Sequence, residues 1–311
     1  MKRCAFDNDI RCGNCIDVMG AMEENSVHLI ATDPPYGIDG MDARWDDTKL
    51  RQKANKAGVV GGLPVGMKFD KKQGEDLQAF FEKVAEQSIK VLRHGGFFIA
   101  FSSPRLSHRI AIALENVGFE IRDLYAWHYT RAQGKAFGME HFVRKMNKSD
   151  KEKQSILEKL GGRKTAQLRP QFEPIIIAQK PTQGTLIENW LAWETGLIDL
   201  NNTTLNGHTP STLLHVEKPF REKYNRHLTV KPVALMETLI RLFSKEGQVV
   251  LDPFMGSGTT LLATRNTNRR GIGIDIHQDY ISLAKKRLEE QGAQPAIGDV
   301  ASSARTSSME R

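Results

Sequence analysis

The sequence predicts an α/β fold, an open and mostly parallel sheet with helices on both faces, and three observations carry that expectation. Gln248-Val249-Val250-Leu251 reads as a short buried strand, followed by Asp252-Pro253-Phe254-Met255-Gly256-Ser257-Gly258-Thr259-Thr260 and the apolar run Leu261-Leu262-Ala263: strand, glycine turn, helix. Arg270-Gly271-Ile272-Gly273-Ile274-Asp275 is a second strand with an acid at its end, and a helix carrying Tyr280, Ile281, Leu283, Ala284 and Leu288 follows it. Val27, Leu29, Ile30 and Ala31 form a third apolar run, ended by Asp33-Pro34-Pro35-Tyr36. In open parallel sheets ligands bind at the carboxyl ends of the strands. Asp33 and Phe254 each follow a strand directly, so residues some 220 positions apart should meet on one rim.

Taken in order, residues 10 to 36 give a weak strand, a helix and the strand entering Asp33. Residues 37 to 74 are basic, glycine-bearing and poorly periodic, and include Trp45, Phe69 and Asp70. A loop this long inside a compact domain is usually functional or mobile, so it reads as a flap over a ligand, against an unrelated surface insertion. Leu77, Phe80, Phe81, Val84, Val91 and Leu92 fit one helix face, closed by Gly95-Gly96. Phe97 to Phe101 is a strand, residues 105 to 117 a helix, and Phe119 to Tyr129 another strand, in which Trp127 and Tyr129 either wall a pocket or pack in the core. Glu173 to Gln179 reads as the last strand of the sheet. Residues 180 to 226 carry Trp190, Trp193 and polar turns without readable periodicity, and residues 291 to 311, rich in Ser, Ala and Gly, read as a loose tail.

The residue types of Asp33-Pro34-Pro35-Tyr36 suit holding a flat ring that bears an amine. Such an amine is a poor nucleophile, because its lone pair is delocalised until its hydrogens are drawn out of plane. An ionised Asp33 only accepts hydrogen bonds, and the Pro34 carbonyl is a second acceptor. The paired prolines hold φ near about −65° and stiffen the turn, and Tyr36 offers a stacking face. The plainer alternative is a strand ending in a proline turn. At the second motif, Gly256 and Gly258 let backbone approach a ligand closely, while the helix start favours an anionic group. A P-loop needs Lys before its Ser/Thr, whereas Gly258 precedes Thr259, which disfavours a nucleoside triphosphate. Asp275 lies about 20 residues beyond the glycine turn, where dinucleotide folds bind ribose hydroxyls.

Together these motifs resemble those of S-adenosylmethionine-dependent DNA amino-methyltransferases of the permuted beta group. In that family D-P-P-Y is the catalytic motif, and F-x-G-x-G, here Phe254 to Gly258, is the cofactor motif. The group's H-x-T-x-K-P element is matched by His227-Leu228-Thr229-Val230-Lys231-Pro232, whose Thr229 and Lys231 resemble the positions that approach the methionine end of the cofactor. The match runs roughly from residue 10 to 290, interrupted by the middle. The family usually has Gly-Asp-Cys in its N-terminal strand, and this chain has Gly13-Asn14-Cys15, with Asn14 offering an amide to the adenine edge.

The resemblance implies a Rossmann-like methyltransferase fold: a mixed seven-stranded sheet with a reversed final strand, helices on both faces, and an inserted target-recognition region. Residues 1 to 129 and 227 to 290 would form the catalytic domain, 130 to 226 the recognition region with one sheet strand near 173 to 179, and 291 to 311 a flexible tail. Asp33, Pro34, Pro35 and Tyr36 would be catalytic. Asn14, Asp33, Thr229, Lys231, Asp252, Phe254, Gly256, Ser257, Gly258, Thr259 and Asp275 would hold S-adenosyl-L-methionine. The 37 to 74 flap would cover a base extruded from the duplex, since the amine is otherwise inaccessible. D-P-P-Y is usual for adenine-N6 enzymes, whereas Ser more often comes first in cytosine-N4 enzymes. An N4-cytosine enzyme and a catalytically silent DNA-binding module are the alternatives.

Charge agrees with a DNA partner once it is located. Between Arg131 and Arg169 eleven Lys/Arg face four Asp/Glu, an excess equal to the formal net charge of +7 on all 311 residues. A charge run is usually a solvated face. An entire excess placed between the two motifs instead indicates a surface for phosphates of double-stranded DNA. Arg131, Lys135, Arg144, Lys145, Lys148, Arg163, Lys164 and Arg169 are its candidates. A cognate restriction endonuclease and a homodimer are both compatible with the sequence. No apolar run nears the 18 or so residues that span a membrane, so a soluble cytoplasmic protein is expected. Cys4, Cys12 and Cys15 lack a second pair to complete a four-thiolate zinc site, and read as reduced thiols.

Overall fold

The structure, a computed structural model, describes residues 8–35, 71–132, 134, 136–166, 168–218 and 230–292. Tyr36, residues 37–70 of the expected flap, Lys135, Thr229 and residues 293–311 of the expected tail lie outside the described residues. The elements run β1 (Asp9–Cys12), α1 (Cys15–Gly20), β2 (Val27–Thr32), α2 (Lys71–Val91), β3 (Leu92–Phe101), α3 (Ser107–Val117), β4 (Glu120–His128), α4 (Glu140–Arg144) and α5 (Asp150–Leu160). They continue with β5 (Phe172–Gln179), α6 (Leu186–Trp193), β6 (Leu213–His215), α7 (Val233–Phe243), β7 (Val249–Asp252), α8 (Thr259–Asn266), β8 (Arg270–Asp275) and α9 (Gln278–Gly292).

Among the described residues eight strands form one sheet in the order β1-β8-β7-β2-β3-β5-β4-β6. β5 runs antiparallel to β3 and β4, and every other pairing is parallel. The reversed strand is therefore present, lodged between β3 and β4. The sheet has one strand more than the expected seven. Three-residue β6 pairs with Ala126, Trp127 and His128, covering backbone groups that β4 would otherwise present as an open edge.

β2 sits centrally, flanked by β3 and β7, and all six of its residues are buried. That position explains its nearly unbroken apolar run, because a parallel strand with both faces covered has no solvent side to leave polar. His28 is the exception in the run. Its Nδ1 accepts from the Val249 amide at 3.2 Å, and burial pushes its pKa down to about 4, so the ring is neutral.

One face of the sheet packs under α1, α2 and α3 through residues such as Met19, Phe81, Leu92, Phe98 and Leu114. The other packs under α7 through Leu29, Phe97, Phe101, Leu235, Leu239 and Phe243. Trp127 and Tyr129 are both part of that second core, so packing is the role the fold shows for each.

Two readings from periodicity need correction. Gly95-Gly96 does not close α2, which ends at Val91 and passes straight into β3. The glycines lie in a register break, where Val27 pairs Leu92 and Leu29 pairs Phe97. At Gly95, with φ +76°, a Cβ would collide with Asn189. Residues 180 to 226 also contain a helix. α6 opens on a Thr185/Glu188 capping box, and its fully buried residue is the polar Asn189, while Leu186, Ile187 and Leu191 are exposed. A helix with a polar buried residue and an apolar outer face defeats a search for apolar periodicity. Asn189 Nδ2 donates to the carbonyls of His94 (3.1 Å) and Thr195 (2.9 Å), docking α6 near the start of β3, at the rim opposite Asp33.

The basic insertion behaves differently. α4 and α5 form a small helical arm closed by a bridge between Gly138 and Lys164 and by Thr165, which donates its amide to the Phe137 carbonyl at 3.0 Å. α5 carries a Ser149/Glu152 capping box and buries none of its residues.

Candidate active site

The two motifs meet where β2 and β7 end side by side. Thr32, the last residue of β2, donates its hydroxyl to Asp252 Oδ1 at 2.6 Å, joining positions 220 apart in sequence. Asp252 Oδ1 also accepts the Phe254 amide at 3.0 Å, and Oδ2 accepts the Thr260 hydroxyl at 2.5 Å. Burial pushes the Asp252 pKa up to about 6; its three hydrogen bonds oppose that rise and the nearby charge of Asp33 adds to it. Asp252 thus turns inward. It ties β2, the glycine turn and the first turn of α8 together.

The glycine turn is held from three sides. Met255 is buried, and its amide donates to the Ile274 carbonyl at 2.9 Å. Asp275 Oδ2 accepts the Gly256 amide at 3.0 Å, while Oδ1 accepts the His277 amide at 2.8 Å. From α9, buried Arg287 donates to the Thr259 hydroxyl at 2.8 Å and to the Ser257 carbonyl and hydroxyl at 3.3 Å each. Ser257 and Thr259 are consequently engaged with α9. Gly258, with φ +78°, packs so tightly that a Cβ there would sit 2.9 Å from the Ala284 Cβ. Gly256, with φ +49°, has nothing among the described residues within 4 Å of where its Cβ would lie. Open space beside this turn, flanked by the Asp275 carboxylate, suits a ligand with ribose hydroxyls.

Phe254 packs tilted against Phe80, ring centroids 6.0 Å apart. Asn14 caps α1, its Oδ1 accepting the Ile16 amide at 3.0 Å, and the adjacent Gly13 amide donates to the Asp275 carbonyl at 3.0 Å. The N-terminal segment and Asp275 therefore lie together, and the cap uses the oxygen of the Asn14 amide. Nearby Cys15 is buried, which pushes its pKa up to about 12 and makes it a poor nucleophile.

Asp33 follows β2 directly, with Pro34 buried and Pro35 half-buried. Lys231 donates to Asp33 Oδ2, and its Nζ lies 3.2 Å from Glu173 Oε2 in an ion pair that is not an aligned hydrogen bond. The Lys231 side chain is only 4% exposed, running past the rings of Phe101 (5.0 Å) and Trp127 (5.8 Å). Burial works against its charge, but the carboxylates of Asp33 and Glu173 outweigh that and hold its pKa above the ordinary lysine value. The residue expected at the cofactor is thus brought to the Asp33 carboxylate.

Glu173 was not among the residues expected from the sequence. Its Oε1 accepts from Lys218 at 3.3 Å, and Lys218 Nζ lies 3.8 Å from the centroid of the Tyr129 ring. Tyr129 is pushed up to about 12 by burial and by the Glu173 carboxylate it faces. The signal was faint but present: an acid beside the start of a strand matters here because β5 is reversed, which puts its beginning where β2, β3 and β4 end. Arg131, Arg144, Lys145, Lys148, Arg163, Lys164 and Arg169 are all exposed. Lys148 pairs with Glu152 at 3.3 Å.

Comparison with known proteins bears on the same elements. The chain is 33% identical over 309 residues to the type II methyltransferase M.HindIII of Haemophilus influenzae, covering 93% of this chain and 96% of that one. It is 29% identical over 291 residues to the type II methyltransferase M.HpaI of Haemophilus parainfluenzae, covering 92% and 76%. Among solved structures, the PvuII cytosine-N4-specific DNA methyltransferase aligns with a TM-score of 0.61 at 15% identity, over 91% of this chain and 87% of that one. The complex of M1.HpyAVI with SAM aligns with a TM-score of 0.54 at 20% identity, over 91% and 99%, and both likenesses concern the fold. The N6_N4_Mtase family profile, described as DNA methylase, matches residues 27–286, from the first residue of β2 to within α9, and the chain belongs to that family.

Proposed function

We propose that this DNA amino-methyltransferase moves a methyl group from S-adenosyl-L-methionine to the N6 amine of an adenine flipped out of duplex DNA. The observation that carries the reading is the Thr32 to Asp252 hydrogen bond, which sets the acceptor Asp33 beside the glycine turn on one rim. S-adenosyl-L-methionine, when bound, supplies an electrophilic methyl group. Gly256 leaves room for it and Asp275 offers acceptors for ribose hydroxyls. Asn14, Phe254 and Thr229 are the further candidates to touch it. Asp252, Ser257, Gly258 and Thr259 keep the turn in shape.

Asp33 and the Pro34 carbonyl accept from the amine and draw its lone pair toward the methyl group, and Tyr36 stacks on the ring. Lys231 keeps its positive charge beside Asp33. Alignment of amine and methyl does much of the catalytic work, and no covalent enzyme intermediate is required. Adenine is preferred because the motif begins with Asp33 and not with Ser. The exposed basic residues of the α4–α5 arm and its flanks contact phosphates, which fix position while base edges fix sequence.

The test is methyl transfer from labelled cofactor to genomic duplex DNA, followed by digestion to nucleosides. Label in N6-methyl-2′-deoxyadenosine is expected, and label in N4-methyl-2′-deoxycytidine would replace adenine by cytosine. Asp33→Ala should abolish transfer while cofactor affinity, read by calorimetry, stays within about threefold. Turnover retained by that variant would sink the assignment.

A further inference from the structure

Four charged side chains alternate in sign along the rim: Asp33, Lys231, Glu173 and Lys218. They come from different parts of the chain, and Glu173 is the link. Its position is set by β5, where it pairs with Trp127 of β4, and its partner Lys218 holds its Nζ 5.5 Å from the Trp127 ring centroid and 3.8 Å from that of Tyr129. Asp33 alone would be sufficient to neutralise Lys231. A second carboxylate 3.2 Å from the same buried ammonium therefore has another consequence. We propose that Glu173 is a positioning residue for methyl transfer: it shares the Lys231 ammonium with Asp33, so that Asp33 keeps acceptor strength for the amine.

The reasoning is electrostatic. Lys231 donates along a hydrogen bond to Asp33, whereas Glu173 attracts it by charge without an aligned bond. Without that second attraction the ammonium settles fully on Asp33 and competes with the amine for its lone pairs. Lys218 sets the strength of the pull, because it draws on Glu173 from the far side at 3.3 Å. The arrangement rests on the reading that Asp33 orients the amine, and it adds two residues, Glu173 and Lys218, to the machinery of that step.

Glu173→Gln removes the charge and keeps the shape, while Lys218→Met removes the outer charge and leaves Glu173. Single-turnover methyl transfer to duplex DNA is measured for both, with affinities for cofactor and DNA measured separately and a thermal melt for each. For Glu173→Gln the expected result is a transfer rate lower by roughly tenfold to a hundredfold, with both affinities within about twofold. Lys218→Met, which leaves Glu173 free to pull harder on Lys231, should instead raise the transfer rate. Glu173→Asp should recover part of the rate.

Glu173→Gln with the wild-type rate, or with a loss matched by cofactor affinity, would overturn the proposal. So would transfer rates that move in the same direction in the two variants. A wild-type protein that methylates no DNA would instead overturn the function proposed above, which keeps the two failures apart.

Discussion

Asp33 and Asp252 end neighbouring strands, and the environments around them separate their work. Asp33 is paired with a lysine and open on one side, whereas Asp252 is enclosed by Thr32, Phe254 and Thr260. Motif reading named both residues and could not tell which way each carboxylate points, since that depends on partners such as Thr32, which lies 220 positions from Asp252. The enclosure has a consequence for stability. The folded value of Asp252, about 6, lies above its ordinary 3.8, so between those pH values the folded protein holds a proton that the unfolded chain has released. The stability so contributed is complete below about pH 4 and is lost as pH rises through 6. An Asp252→Asn variant lacks this dependence. Its stability relative to wild type should improve by on the order of 3 kcal/mol from pH 4 to above pH 6 and then level off. Urea melts across that range measure it, and a difference constant with pH would refute the enclosed carboxylate.

At the scale of elements, the glycine turn between β7 and α8 was legible because its geometry is local. Strand, glycines and helix follow one another within about twenty residues, and each obeys its own short-range rule. The two glycines differ, however, in a way only packing shows. Gly258→Ala adds a Cβ against Ala284 at 2.9 Å in a left-handed backbone, and should destabilise the protein by roughly 2 to 4 kcal/mol. Gly256→Ala meets no atom of the described residues and should cost only about 1 kcal/mol. Its Cβ enters the space proposed for the cofactor, so affinity for S-adenosyl-L-methionine should fall at least about tenfold. Melting curves and calorimetry on the pair separate the two effects, and equal melting temperatures would contradict the packing described. α6 was not legible for the opposite reason. Asn189 is buried for its hydrogen bonds to His94 and Thr195, and no periodic rule anticipates a polar anchor.

At the scale of the molecule, charge is divided as the fold is divided. The chain's positive excess lies in the stretch that includes the α4–α5 arm, and α5 buries none of its residues, while the rest of the sequence sums to zero. Replacing Arg144, Lys145 and Lys148 together by Gln should weaken DNA binding alike for all sequences. The slope of log K against log salt should flatten by about 0.9 for each phosphate that is no longer neutralised. Cofactor affinity should not change, and an unaltered salt slope measured by anisotropy would remove the arm from the interface. Sequence by itself determined the alternation of strands and helices, the two motifs and the place of the charge, because each is written in neighbouring residues. Tertiary structure alone decided that Glu173 and Lys218 join Lys231 at Asp33, that Asp252 faces inward, and that α6 sits at the far rim. Those outcomes depend on the reversal of β5 and on pairings between residues dozens to hundreds of positions apart, which no local pattern encodes.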